Sequence, residues 1–123
     1  MSNSHKDLIV WQRAMQLVLD VYRCTKVFPR EETYGLTSQM RRAAVSIPSN
    51  IAEGKGRYSR KELTQFLLHA RGSLLELETQ IEIARALEYL ASEEAEALAR
   101  RSSEVGRLLN GMLDHFRQPT PVH

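Results

Sequence analysis

Leu63, Leu67, Ala70, Leu74, Leu77, Ile81 and Ala84 are spaced alternately four and three residues apart over three heptads. An α-helix puts such positions on one face, and a helix with one apolar stripe must bury it against another element. Its start is marked by Ser59-Arg60-Lys61-Glu62, a capping box. In that motif the Ser59 hydroxyl accepts from the Glu62 amide while the Glu62 carboxylate reaches back to the Ser59 amide. Gly72 and Ser73 fall mid-helix, where the glycine costs about 1 kcal/mol of propensity. Their small size suits a close helix approach.

Three more stretches carry helical spacing. The first opens with Asp7 as N-cap and repeats Leu8, Trp11, Met15, Val18, Tyr22 and Thr25, with Val10, Ala14, Leu17, Val21 and Phe28 as a second apolar strip beside it. That face is wider than one bundle core requires. Either Trp11 and its neighbours are deeply buried between two helices, or part of the strip meets another subunit. Pro29, with Phe28 biased away from helical angles, ends the helix.

The next helix takes Thr37 as cap and keeps Leu36, Met40, Ala43, Ala44, Ile47 and Ile51 in phase on both sides of Pro48. The unbroken phase predicts a continuous helix kinked at Pro48, at a local cost of ~3 kcal/mol that packing must offset. Gly54 and Gly56 end it. The last helix is capped by Ser92 ahead of Glu93 and Glu94, carries Leu98, Ser102, Val105, Leu109, Met112 and Phe116, and stops at Pro119 and Pro121. Alternating strand-like runs and repeats are absent. The expectation is an all-α, antiparallel up-down-up-down four-helix bundle, one domain over 1–123 with its core at about 7–117, a frayed N-terminus and a proline-containing tail.

Charge is distributed unevenly. Residues 1–72 hold 12 Lys/Arg and 6 Asp/Glu, whereas residues 73–123 hold 5 and 9. The basic half suits nucleic acid or another acidic partner; equally, two oppositely charged halves could attract each other between subunits. The excess is concentrated at 41–61, where Arg41, Arg42, Lys55, Arg57, Arg60 and Lys61 face a single acid, Glu53. The single cysteine excludes an internal disulfide, and no stretch resembles a signal peptide or a membrane span, so a cytoplasmic location is expected.

Catalytic and metal chemistries find little support. A di-iron bundle needs Glu-x-x-His pairs, and none of His5, His69, His115 or His123 has a glutamate three residues before it. His69 shares helical spacing with Ser73, Glu76 and Gln80, which reads as a polar edge or subunit contact, with a functional cluster as the alternative. RNA-cleaving helical bundles pair an arginine with a histidine four to six residues on; only Arg117 and His123 fit, in the proline-rich tail. Cys24 lacks an evident base and reads as a structural thiol. Glu53-Gly54-Lys55-Gly56-Arg57 lacks the strand and Gly-Lys-Ser/Thr of a P-loop, yet the following helix aims its positive end at this turn, where an anion could bind. No cofactor, metal or catalytic residue is expected, and the chain reads as non-enzymatic.

Gln39, Arg42, Ser46, Ser49, Asn50 and Glu53 form a polar stripe on the second helix. It is either a wet face or an ordered contact between helices, with channel lining in an oligomer as one form of the latter. With Trp11, four of its members (Gln39, Ser46, Asn50 and Glu53) are the candidate subunit-interface residues.

Tyr34-Gly35-Leu36-Thr37, Gln39, the run Arg41 to Gly54, and Gly72-Ser73-Leu74 with Glu76-Leu77-Glu78 resemble the bacterial four-helix bundle proteins encoded by intervening sequences within 23S ribosomal RNA genes. Trp11, Ala14, Val21-Tyr22 and Phe28-Pro29 fit the same pattern, so the resemblance spans about 7–117. It implies a fold and an assembly more than an activity. Such proteins are similar to the accessory protein of diversity-generating retroelements, whose bundles form a five-membered basic ring that engages nucleic acid and a reverse transcriptase. The expectation is a homo-oligomer, a pentamer, that presents Arg41, Arg42, Lys55, Arg57, Arg60 and Lys61 to RNA or DNA, with no membrane. A protein-interaction scaffold is the alternative, and an RNA-cleaving bundle a remote one.

Overall fold

The computed structural model describes residues 4–116. Four helices, α1 (Ile9–Thr25), α2 (Leu36–Lys55), α3 (Arg60–Ala86) and α4 (Ser92–Phe116), are accompanied by 3-10 turns at His5–Asp7 and Arg30–Glu32. The described residues include no strand. Each helix packs on two others: α1 on α2 and α4, α3 on α2 and α4. Contacts between neighbours run in opposite order along the two helices. Arg13 meets Glu104 and Asp20 meets Arg101, while Gly54 approaches Leu63 and Ser46 meets Ser73. The result is a four-helix bundle, and no described helix is long and apolar enough to cross a membrane.

The apolar stripes meet in one core. Leu67, Ala70, Leu74, Leu77, Ile81 and Ala84 of α3 are all buried, with Leu63 partly so. On α1 the inward strip is Val10, Ala14, Leu17, Val21 and, beyond the helix, Phe28. Val18 and Thr25 are also buried, but Trp11 and Met15 are half-buried and Tyr22 is exposed. Trp11 is thus not deeply enclosed: it lines an open apolar groove of about 300 Å³ between α1 and α2 with Met15, Val18, Val45, Pro48, Ser49 and Ala52.

α2 continues past Pro48 to Lys55, and the proline ring is buried against α1. Proline removes one amide from the helical ladder. The next two residues add side-chain bonds one turn back, Ser49 Oγ to the Val45 carbonyl and Asn50 Nδ2 to the Ser46 carbonyl, both 2.8 Å.

Three caps differ from expectation. Asp7 lies in the 3-10 turn and Leu8 precedes α1 without a side-chain cap. Thr37 is inside α2 and buried; Gly35 is the cap residue, and the Glu32 carboxylate accepts from the Leu36 amide at 3.0 Å. A Cβ on Gly35 would lie 2.7 Å from that carboxylate, so glycine leaves room for a cap supplied from outside the helix. Ser92 is the first residue of α4 rather than its cap: the Ala91 carbonyl accepts from Ala95, and Glu94 reaches back to the Ala91 amide. At Ser59 the hydroxyl does accept from Glu62, at 3.0 Å. α1 ends at Thr25, earlier than Pro29 requires.

Small residues bring α2 and α3 together at two levels. Ser46 and Ser73 hydroxyls are 2.8 Å apart, and a Cβ on Gly54 would sit 2.9 Å from Phe66 Cβ. Gly72 has open space around it and plays no part in that approach.

Candidate nucleic-acid interface

Arg41 and Arg42 are adjacent in sequence, but one residue of helix rotates a side chain by about 100°. Arg41 therefore turns to α1, where its Nε donates to Thr25 Oγ1 at 2.8 Å and its guanidinium lies 4.6 Å from the Tyr22 ring centroid. Its Nη2 also reaches the Tyr22 carbonyl at 3.4 Å, so a cation sits at the negative end of α1. Arg41 fastens two helices. Arg42 turns the other way, into a polar cleft of about 440 Å³ between α2 and α3 shared with Tyr34, Gln39, Ser46, Ser73 and Glu76.

The other four cations lie at the opposite end of α2, about 20 Å from Arg42 at 1.5 Å per residue. The close approach at Gly54 sets the α2–α3 turn there. Gly56 caps α2 by donating to Ala52 and Glu53, Arg57 donates its amide to Gly54, and Ser59 starts α3. Arg57 is tied down by an ion pair with Glu53 at 2.9 Å and by the Phe66 ring, 4.7 Å from its guanidinium carbon. Lys55, Arg60 and Lys61 are exposed, and none has a carboxylate within ion-pair distance among the described residues. Arg60 and Lys61 moreover occupy the first turn of a 27-residue helix. Cations are disfavoured at that positive end, by roughly 0.3–1 kcal/mol each. A sequence that breaks a local rule in this way marks a place where another requirement prevails.

Of the residues expected at a subunit interface, Gln39, Ser46, Asn50 and Glu53 fall along one stripe of α2, and Trp11 lies apart from it. Trp11 is on the α1–α2 groove. Ser46 bonds Ser73 of α3, and Asn50 Nδ2 donates back to Ser46, to its carbonyl and at 2.9 Å to its Oγ. Glu53 pairs with Arg57, and Gln39 is exposed on the wall of the polar cleft.

His69 is exposed and meets the edge of Phe66, with ring centroids 6.1 Å apart. It does not converge with its helical neighbours: Ser73 bonds Ser46, Glu76 lines the cleft, and Gln80 is buried. His115 is likewise exposed, against Phe116. Arg117, Pro119, Pro121 and His123 lie outside the described residues. Cys24 is half-buried, and burial first, then Glu94 and Asp20, push its thiol pKa up, which disfavours the thiolate a nucleophile needs. Among the described residues no group of three His, Cys, Asp or Glu could hold a metal ion.

Two features escaped the sequence reading. Asp20 is buried on the inward side of α1, its Oδ1 accepting from Arg23 at 2.7 Å and its Oδ2 lying 2.9 Å from Arg101 Nε of α4. An acid three residues after Leu17 and one before Val21 was the available signal. Tyr58, in the basic turn, is as exposed as in an extended chain.

Comparison with known proteins is consistent with this architecture. The crystal structure of a protein of unknown function from the S23 ribosomal protein family of Bacteroides thetaiotaomicron superposes with a TM-score of 0.78 at 22% identity. The match covers 85% of this chain and 98% of that one, and shows a common fold. A search of curated proteins finds no match. The family model described as 23S rRNA-intervening sequence protein matches residues 6–111. That match takes in all of α1, α2 and α3 and most of α4, and the chain belongs to the 23S rRNA-intervening sequence protein family.

Proposed function

We propose that the protein is a non-enzymatic nucleic-acid-binding bundle that presents the turn between α2 and α3 to RNA or DNA phosphates. The observation that carries this reading is the trio Lys55, Arg60 and Lys61, exposed and without acidic partners among the described residues, beside the amino-terminal amides of α3. Arg57 supports the turn through Glu53 and Phe66, Arg42 adds charge at a distance, and Arg41 is held by α1. Binding through phosphates is sequence-poor and salt-dependent, with log K falling by about 0.7–0.9 per log unit of salt for each phosphate neutralised. Fluorescence anisotropy with a labelled structured RNA at low salt tests it. Micromolar binding is expected, with a shallower salt slope for the Lys55→Ala, Arg60→Ala, Lys61→Ala variant. No binding at low salt refutes it, and a protein partner captured from nuclease-treated lysate by the same basic surface would favour an interaction scaffold instead.

A second observation favours assembly of several copies. Ile9, Leu19 and Tyr22 are exposed on α1 and Val45 on the wall of the α1–α2 groove, and Leu75 and Ile83 are exposed on α3, diagonally across the bundle. Two different apolar surfaces suit head-to-tail contact, which closes into a ring when the rotation permits. A pentamer is the ring size we favour. Light scattering decides: a strictly monomeric mass removes the ring.

A further inference from the structure

Among the exposed apolar residues, Tyr58 stands apart. Val45 lines the α1–α2 groove, Ile9 lines an apolar groove with Leu8, Leu108 and Met112, and Tyr34, almost as exposed, follows Glu31 and Glu32, whereas the sequence around Tyr58, Lys55-Gly56-Arg57 and Ser59-Arg60-Lys61, contains no other apolar side chain and no acid. Its hydroxyl makes no hydrogen bond among the described residues, and its ring packs on no other ring. Arg57, which could have covered it, is held away on Phe66 and Glu53. Full exposure of a phenol ring forgoes the burial that aromatic side chains normally gain. A protein-docking aromatic is ordinarily ringed by apolar and neutral neighbours that exclude water. An aromatic set among cations matches the surface that single-stranded nucleic acid requires: a π-face for a base, with positive charge for the phosphates on either side.

We infer that Tyr58 is a stacking platform for an unpaired base, with Lys55, Arg60 and Lys61 holding the adjacent phosphates, so that the turn selects single-stranded or looped nucleic acid over duplex. The inference rests on the phosphate-binding reading above and adds a substrate class to it. In a duplex the bases are already stacked on each other, and a side chain on an exposed turn reaches the phosphates alone. In a single strand the base is free to leave its neighbours and cover the ring. Stacking on an aromatic tolerates any base, so the selectivity is for strandedness and not for sequence.

The test compares a labelled single-stranded RNA with the duplex of the same sequence, by anisotropy at one low salt concentration, on the full chain. Wild type is expected to bind the single strand more tightly. Tyr58→Ala should weaken single-strand binding about tenfold and leave duplex binding unchanged, whereas Tyr58→Phe, which keeps the ring, should bind as wild type does. The triple variant lacking Lys55, Arg60 and Lys61 should lose affinity for both forms. Because Tyr58 touches no core residue, unchanged circular dichroism and thermal unfolding are expected for Tyr58→Ala. If Tyr58→Ala binds the single strand as wild type does while the triple variant loses binding, the stacking inference is overturned and phosphate binding stands. If neither nucleic acid binds at all, both readings fall together. If only a nuclease-resistant protein complex depends on Tyr58, the platform serves a protein and the inference is overturned.

Discussion

The same substitution at two glycines should have opposite effects on stability. Gly72 lies mid-way along α3 and is exposed, and a Cβ added there would meet no heavy atom within 4 Å outside its own helix turn. Gly72→Ala should therefore return the helix propensity that glycine forgoes, about 0.5–1 kcal/mol. Gly54 is one residue from the end of α2 and buried. A Cβ there falls 2.9 Å from Phe66 Cβ, 3.2 Å from Leu63 Cδ1 and 3.4 Å from the Leu63 carbonyl oxygen. The leucine methyl can rotate aside. Phe66 Cβ and the Leu63 carbonyl cannot, because one is bonded directly to the α3 backbone and the other is part of it.

Relief thus requires α2 and α3 to separate by several tenths of an ångström where they approach most closely, and overpacking of this kind costs about 1–3 kcal/mol. Propensity gained so near a helix end is smaller than at Gly72, so Gly54→Ala should be destabilising by about 1–2 kcal/mol net. For 123 residues the entropy of unfolding gives a shift of about 4 °C in Tm per kcal/mol. Thermal unfolding at one fixed protein concentration should place Gly72→Ala about 2–4 °C above wild type and Gly54→Ala about 4–8 °C below it. A Gly54→Ala protein as stable as Gly72→Ala would show that the α2–α3 approach does not depend on the missing Cβ.

Asp20→Ala should cost about 1–2 kcal/mol, less than a fully buried pair, because Arg23 and Arg101 remain free to meet water; urea unfolding of wild type and variant measures it. Glu88 follows α3 at φ 64, the left-handed residue of a Schellman turn in which Tyr89 donates to Ala84 and Glu88 to Arg85. Glu88→Gly should raise stability by about 0.5–1 kcal/mol in the same assay. Tyr89 donates its hydroxyl to Glu32 Oε2 at 2.9 Å, and that bond first, then burial and the Glu32 charge, raise the phenol pKa above its ordinary 10.0. A raised folded-state pKa makes the neutral phenol the stabilising form. Its contribution is complete below the unfolded pKa and lost as pH rises through the folded one, so wild type should lead Tyr89→Phe at neutral pH and lose that lead above about pH 10 in a pH series of unfolding curves.

The helices were legible because each carries an apolar stripe long enough to establish its own phase, and Leu63 to Ala84 was the plainest. Caps were less legible because a helix end accepts a partner from anywhere in space. Glu32 and Glu94 supply what Thr37 and Ser92 were expected to give. The end of α3 was hidden for a related reason: its Schellman turn uses Glu88 where glycine would have announced it. The sequence divides the basic run 41–61 into a helical part, Arg41 to Glu53, and a turn, Lys55 to Lys61, but charge counted along the chain left Arg41 and Arg42 among the cations offered to nucleic acid. Helix rotation sends Arg41 and Arg42 into different seams, and helix length carries both away from the turn. The exposure of Tyr58 had no signal, since an aromatic in a turn reads equally well as a plug for the end of a core.

The two ends of the bundle are built for different tasks. At the end holding the α1–α2 and α3–α4 connections, contacts cross between elements distant in sequence, Arg41 to Thr25, Glu32 to Tyr89, and Phe28 against Tyr89 at 5.3 Å between ring centroids, while Glu32 also caps the Leu36 amide four residues on. The contacts between distant elements tie those elements together, so this end stabilises the fold. At the other end the α2–α3 turn is held by its own short-range contacts, the Gly54 approach, the Gly56 cap and the Arg57 anchor on Glu53 and Phe66. Those contacts use one of the four cations there and leave Lys55, Arg60 and Lys61 without partners among the described residues. Unpaired charge at a rigidly held turn contributes little to stability, since exposed ion pairs would contribute little even if made. Under the proposed function, a polyanion at this turn would offset the unfavourable helix dipole and cover the bare phenol ring.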